Sequence, residues 1–212
     1  MSGILDILNS DLGQSIINGA ANQTNQPQDK TASVLTMALP VMMQAMKRNA
    51  ATPEGAANLL GALNNSKHDG SLLDNLGGFF EGGVNDNMLE DGSKILNHVL
   101  GSKQQGVNKL IGDKSGMDAN QVAEILKVAA PILLGLLGKQ TRQNNVSSPA
   151  GLDDLLGGMI KGNSSDNEQS FLEAILDVDG DGSVVDDVAG MVLGSSKNKG
   201  GLGGLLSGLF GK

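Results

Sequence analysis

The chain contains no cysteine, no tryptophan and no tyrosine. Without a thiol it can hold no disulfide, no thiolate metal site and no cysteine nucleophile. Phenylalanine is its only aromatic residue, with four in 212 positions, so a stacking platform for bases is missing. Positive charge is short as well. Fifteen Lys and Arg face 23 Asp and Glu, and the net charge of −8 opposes a phosphate backbone. No nucleic-acid partner is expected. Long apolar runs are also lacking: Val34–Met46 and Val122–Leu137 read as too short or too interrupted to span a bilayer, the second by Glu124 and Lys127. The opening "MSGILDILNSDLGQSIINGA" has no basic start and no unbroken apolar core, so it does not read as a secretion signal. The expectation is a soluble, cytoplasmic protein with no transmembrane segment.

What is present points to helices. The 31 glycines are about twice the usual share, and the apolar mass is nearly all Leu, Ile, Val, Met and Ala. The alternation of β-branched and aromatic residues that marks sheets is missing. In the opening stretch Ile4, Leu5, Leu8, Leu12, Ile16 and Ile17 recur at helical spacing and predict one amphipathic helix. An all-α fold follows.

Self-similarity organises the chain into two related multi-helical halves, as a tandem duplication would. "LNSDLG" at Leu8 matches "LNHVLG" at Leu96, and "ALPVMMQAMKRN" at Ala38 matches "AAPILLGLLGKQ" at Ala129. "TPEGAANLLGAL" at Thr52 matches "SPAGLDDLLGGM" at Ser148, and "DGSLLDNLGGFF" at Asp69 matches "DGSVVDDVAGMV" at Asp181. The offset grows from 88 to 91, 96 and 112, so order is kept and the second copy carries insertions. Residues 1–85 read as the first repeat, 86–195 as the second, and 196–212 as a Gly/Leu-rich amphipathic tail.

Each repeat reads as the same succession. A first helix leads into a polar loop, "NQTNQPQDK" in one copy and "IGDKSGMDAN" in the other. A helix apolar on nearly every side follows, interrupted by Pro40 or Pro131, which predicts a central and buried element. Leu39, Val41, Met42, Ile132, Leu133 and Leu136 are expected in the core. Thr52 and Ser148, each followed by proline, predict capped starts of a third helix. A last helix opens at Ser71 or Ser183, and Gly77–Asn87 reads as the loop joining the copies. The methionines Met37, Met42, Met43 and Met46 read as core packing rather than a soft-metal surface.

One stretch carries pointed chemistry. "FLEAILDVDGDGSVVDD" places five aspartates within eleven residues, with no base among them. From Asp177 the loop follows an EF-hand pattern: Asp177, Asp179 and Asp181 stand at positions one, three and five. Gly182 is the turn glycine, and Ser183 offers its carbonyl at seven. Alternate residues there converge their oxygens on one Ca2+ ion. Val188 occupies position twelve, where a bidentate glutamate belongs, so Asp187 must close the site with a shorter reach. The competing reading is a capped turn, with Ser183 and Asp186 forming a capping box and an Asp-Gly pair making the bend. The first copy, "NNSKHDGSLLDN", separates the two. It keeps Asp69, Gly70, Ser71 and Asp74, which suffice for turn and cap, but has Asn65, Lys67 and Asn75 in place of Asp177, Asp179 and Asp187. The extra carboxylates are the ones a cation would want, so Asp177, Asp179, Asp181, Ser183 and Asp187 are the candidate metal ligands and Asp186 the cap.

The Pro-interrupted "AAPILLGLL", "SPAGLDDLLGGM", "DVDGDGSVVDDVAGM" and the Gly-Leu tail together resemble the YidB-like family of bacterial proteins of unknown function. The resemblance implies an all-helical fold and no established activity.

No catalytic constellation stands out. "GLLGKQT" at Gly135 lacks the hydroxyl residue and the glycine spacing of a phosphate loop, and "GLGGLL" at Gly201 misses the last glycine of a dinucleotide fingerprint. His68 and His98 have no ligand-spaced partners and read as surface or loop residues. The expected function is therefore a non-enzymatic helical interaction or assembly protein with one EF-hand-like calcium loop, engaging a protein partner or a second copy of itself. The alternative is a peripheral membrane or partner-tethering protein acting through its tail. There Leu202, Leu205, Leu206, Leu209 and Phe210 make one apolar stripe at helical spacing, suited to a membrane surface, and the acidic loop is purely structural.

Overall fold

The computed structural model describes residues 3–68, 70–74, 76–80, 84 and 86–161, and all regular structure among them is helical. α1 spans Ile4–Leu8 and α2 spans Asp11–Thr24. α3 (Gln28–Asn49) and α4 (Pro53–Leu63) lead to a 3-10 turn at Ser66–His68 and two short helices, α5 (Ser71–Asp74) and α6 (Leu76–Phe80). α7 (Asp86–Leu100) passes through a second 3-10 turn, Gly101–Lys103, into α8 (Gln104–Ser115), α9 (Ala119–Gln143) and α10 (Pro149–Lys161).

Ser10 corrects the first expectation by breaking the N-terminal helix in two. Its hydroxyl accepts the Gly13 amide at 3.4 Å and donates to the Ile7 carbonyl at 2.6 Å. A serine that satisfies both the end of one helix and the start of the next favours a break. Ile4, Leu8, Ile16 and Ile17 are nonetheless buried, as their spacing predicts.

The two polar loops are shorter than expected: α2 runs through Thr24 and α8 through Ser115. Each then reverses on a single left-handed residue, Asn25 at φ 52° and Gly116 at φ 67°. The amide after it reaches back five residues, Gln26 to the Ala21 carbonyl at 2.9 Å and Met117 to the Gly112 carbonyl at 3.0 Å. This closure satisfies carbonyls at the helix end and needs no long connection. The link expected from Gly77 to Asn87 is likewise helical at both ends. Leu76 is buried, α6 packs on α2 through half-buried Phe80, and α7 has begun by Asp86.

Local parallels recur between the halves. Pro40 and Pro131 each stand at the thirteenth residue of their helices, α3 and α9. The Thr52 hydroxyl accepts the Gly55 amide at 3.1 Å, and the Ser148 hydroxyl accepts the Gly151 amide at 3.2 Å. The first matched pair behaves differently, because Leu8–Gly13 crosses the α1–α2 break whereas Leu96–Leu100 is the last turn of α7.

α3 and α9 cross at the centre and the remaining helices enclose them. Leu39, Val41, Met42, Ile132, Leu133 and Leu136 are all buried, as expected, and so are Met43 and Met46. In α9 every residue from Val128 to Gly138 is buried. By length and composition this helix could cross a membrane, but 78% of its apolar window is buried inside the bundle. Packing is reciprocal across the boundary at residue 85. α2 lies on both α3 and α9, and so does α8; α4 packs on α9, α10 packs on α3, and α4 and α10 touch. The described residues on either side of that boundary thus share one core.

Two close approaches fix how the outer elements meet α9. Pro131 has no amide hydrogen, so the Lys127 carbonyl loses its helical donor. α7 comes in at that point, and a Cβ at Gly92 would land on the Lys127 carbonyl. The 3-10 turn comes in over Gly138, where a Cβ would land on the His68 carbonyl. Gly61 on α4 meets nothing within 4 Å. One polar atom is left over in the core: Asn108 is 7% exposed, and its Oδ1 has no hydrogen-bond partner among the described residues.

Gly92→Ala and Gly138→Ala are each expected to lower stability by about 1–3 kcal/mol through overpacking. Gly61→Ala should raise it by up to about 1 kcal/mol through helix propensity alone. Asn108→Val should raise it by about 1 kcal/mol by removing an unsatisfied acceptor. Thermal or urea melting of the four variants checks these signs.

Candidate functional site

Several concavities lie around the C-terminal halves of the two central helices. On α9, the Ser66–His68 turn and α5 lie across Gly135–Lys139, with the Gly70 Cα 3.9 Å from where a Gly135 Cβ would stand. Asp74 of α5 accepts the Lys139 ammonium at 2.7 Å. Both groups are open to water, so the pair positions more than it stabilises. The crevice beside it, about 380 Å³, is lined by Ile7, Leu73, Leu136, Lys139, Gln140 and Met159 among others. On α3, a crevice of about 160 Å³ is bounded by Ala45, Arg48, Asn49, Val99, Leu100 and Lys103, with Val107 below. Asn49 holds α3 to the last turn of α7, its amide donating to the carbonyls of His98 at 3.3 Å and Val99 at 3.1 Å.

The third concavity, also about 380 Å³, is the most apolar. Met46, Leu59, Ala62, Ile95, Val99 and Leu134 form its floor and walls, and Asn58, Lys94, His68 and His98 its polar edge. Nδ1 of His68 lies 3.1 Å from the Ala62 carbonyl. The Glu90 carboxylate beside Lys94, at 2.8 Å, holds the ammonium pKa above its ordinary value through their hydrogen bond and charge attraction. An apolar floor with a sparse polar edge suits an inserted apolar side chain, and nothing there aims a nucleophile at a base. The two histidines appear isolated in the sequence. They share an edge here because α4 with its following turn and α7 dock on the same helix, α9.

The candidate calcium ligands Asp177, Asp179, Asp181, Ser183 and Asp187 lie outside the described residues, as do Asp186 and the tail from Leu202 to Phe210. Four of their first-copy counterparts, Asn65, Lys67, Ser71 and Asp74, are described. The Asn65 side chain accepts the Lys67 amide at 3.0 Å, making a local turn. Lys67 itself reaches Asp91 of α7 at 3.3 Å, and Asp74 takes Lys139. No group of three or more His, Asp or Glu is placed to hold a metal among the described residues.

No curated protein and no solved structure matches the chain. A family model described as "Bacterial protein of unknown function (DUF937)" matches residues 6–140, from α1 to the last turn of α9. The resemblance to YidB-like proteins is consistent with that assignment. The match covers well over half of the chain, reaches across both central helices, and leaves α10 and the aspartate loop beyond it. The chain therefore belongs to this bacterial family, whose function is not established.

Proposed function

We propose that the protein is a non-enzymatic helical interaction or assembly protein, descended from a tandem duplication, whose second half carries an EF-hand-like calcium loop. The duplication is supported by the shared order of left-handed turn, Pro-interrupted helix and capped helix. The interaction role is supported by the apolar groove edged by His68 and His98, which offers an apolar side chain a dry floor and its polar neighbours hydrogen bonds. The partner would be another protein or a second copy of this chain, and the cytoplasm would be its compartment.

The observation that carries the calcium reading is the contrast between two copies of one turn. In the first copy Lys67 brings its own positive charge and turns to Asp91. The second copy has Asp179 in that place, with Asp177 and Asp187 replacing two asparagines. Like charges gathered in one loop need a counter-charge, and the loop supplies none from its own sequence. A hard cation with oxygen ligands answers that need, with an affinity reduced by the poor closing ligand. Asp177, Asp179, Asp181 and Asp187 would coordinate through carboxylates, Ser183 through its carbonyl, and Asp186 would cap the following helix.

Calcium at a hundredfold above its dissociation constant should stabilise the fold by about 2.7 kcal/mol. Equal magnesium should do less, because it demands tighter octahedral geometry. Asp177→Ala should abolish the shift and Asp179→Asn should reduce it, while Asp186→Asn should leave it in place. A melting curve of metal-free protein that ignores both calcium and chelator refutes the site.

A second reading rests on the tail, where Leu202, Leu205, Leu206, Leu209 and Phe210 share one stripe. Glycines 203, 204 and 208 each cost up to about 1 kcal/mol of helix stability, so the stripe would need an external surface to become helical. Deleting Gly201–Lys212 should leave the melting temperature nearly unchanged and change the protein's distribution between membrane and soluble fractions. A large loss of stability would assign the tail to the core instead.

A further inference from the structure

The groove edged by His68 and His98 is longer than its apolar part. A second compartment, about 440 Å³, continues from it and shares Met46, Asn58, Leu59, His98 and Val99 with it. α4 forms one rim through Asn58, Leu59 and Ala62, and α7 forms the other through Ile95, His98 and Val99. Met46 of α3 and Leu134 of α9, both buried, supply the floor. Asn49, Thr52 and Glu54 make the far compartment polar, whereas the near one is apolar apart from its edge.

Both rims carry hydrogen-bonding groups that are unspent. Among the described residues no hydrogen bond or ion pair engages the exposed side chains of Asn58 and His98. At the apolar end the Ala62 carbonyl can only accept, so Nδ1 of His68 donates to it at 3.1 Å and Nε2 is the ring's unspent nitrogen. Lys94 is not among these groups, since Glu90 takes its ammonium at 2.8 Å. We infer that the groove takes an extended segment of another protein, with an apolar side chain in the near compartment and a polar one, two residues on, in the far compartment. This rests on the interaction reading above and names its partner.

Main-chain chemistry selects this occupant. An extended segment brings N–H and C=O groups that have no partner of their own, and Asn58 on one rim and His98 on the other meet them. Its alternate side chains point the same way, about 6.6 Å apart, which suits two compartments in a row. A helix has already bonded its main chain. Seating one here would take water from both rim side chains and give back only what the helix's own side chains offer. A second folded copy fits poorly too. Among the described residues no Leu, Ile, Val or Met is exposed, so that body has no protruding apolar side chain to insert.

Selection of random, unstructured octapeptides displayed on phage against the full chain tests this. The recovered peptides should share a Leu, Ile, Val or Met, and synthetic copies should bind the full chain in fluorescence anisotropy. Ile95→Asp should weaken them by about tenfold or more. Asn58→Ala and His98→Ala, at exposed positions that leave the fold intact, should each weaken them by about two- to tenfold. N-methylation of single peptide amides should weaken binding at the positions that face the rims, and should cost less against the variant that lacks the facing side chain. A library that yields no binder overturns the inference. So does a selected peptide that keeps its affinity when an i,i+4 staple fixes it as a helix, or self-association of the full chain that Ile95→Asp abolishes; both outcomes leave the groove an interaction site with a different occupant. Binders indifferent to Ile95→Asp, Asn58→Ala and His98→Ala overturn the inference and remove the groove from the interaction reading as well.

Discussion

A helix apolar on every face is stable in water only when something encloses it, and α9 imposes that requirement on the whole chain. Eleven consecutive residues of it, Val128 to Gly138, are buried. One neighbour covers one stripe of a helix, so a run of this length needs companions all round. α2, α3, α4, α7 and α8 supply them, together with the turn at Ser66–His68. The reciprocal packing of the halves follows from the same need. α3 is the second such helix, and two of them crossing leave each half too few elements of its own to finish the enclosure. Elements are therefore exchanged across the boundary, and burial is shared in a single core.

Local chemistry was legible in the sequence where one residue decides an outcome. Thr52 and Ser148 cap the helices that begin at Pro53 and Pro149, and the apolar residues around Pro40 and Pro131 are buried. The break at Ser10 was harder to read, because the apolar spacing of Ile4 through Ile17 runs straight across it. Only the serine's bonds to both sides reveal two helices. Asn25 misled for a related reason: polar residues around it suggest a loop, whereas a single left-handed asparagine reverses the chain with almost none. Cross-half packing is illegible at this level. Which helix α4 covers depends on the surfaces of α3 and α9 together, and both read as equally apolar.

The candidate sites show the same division. Asp177 to Asp187 announces itself by charge, since repulsion among neighbours is visible in any alignment of the two copies. The groove edged by His68 and His98 announces nothing, because its parts come from α4, the following turn, α7 and α9, and each has an ordinary composition. The turn at Asn65–His68 also shows how one bend is held without metal. Lys67 carries a positive charge on a tether, and Asp91 on a neighbouring helix receives it.

The central helices differ in the atoms that fill equivalent places. α3 presents Met42, Met43 and Met46 where α9 presents Leu133, Leu134 and Leu137, and the three thioethers are at most 1% exposed. A thioether bends into irregular space more readily than a branched chain, so the α3 side of the core has the softer filling. It also has the oxidisable one. Peroxide converts an accessible methionine to a polar sulfoxide, and Met42 and Met43, both 0% exposed, are out of its reach while the bundle is closed. Each opening of the fold exposes them together, and a sulfoxide formed then cannot be reburied without cost. In a chain with no cysteine to take the first oxidation, the buried thioethers of α3 keep a chemical record of how often the protein has unfolded.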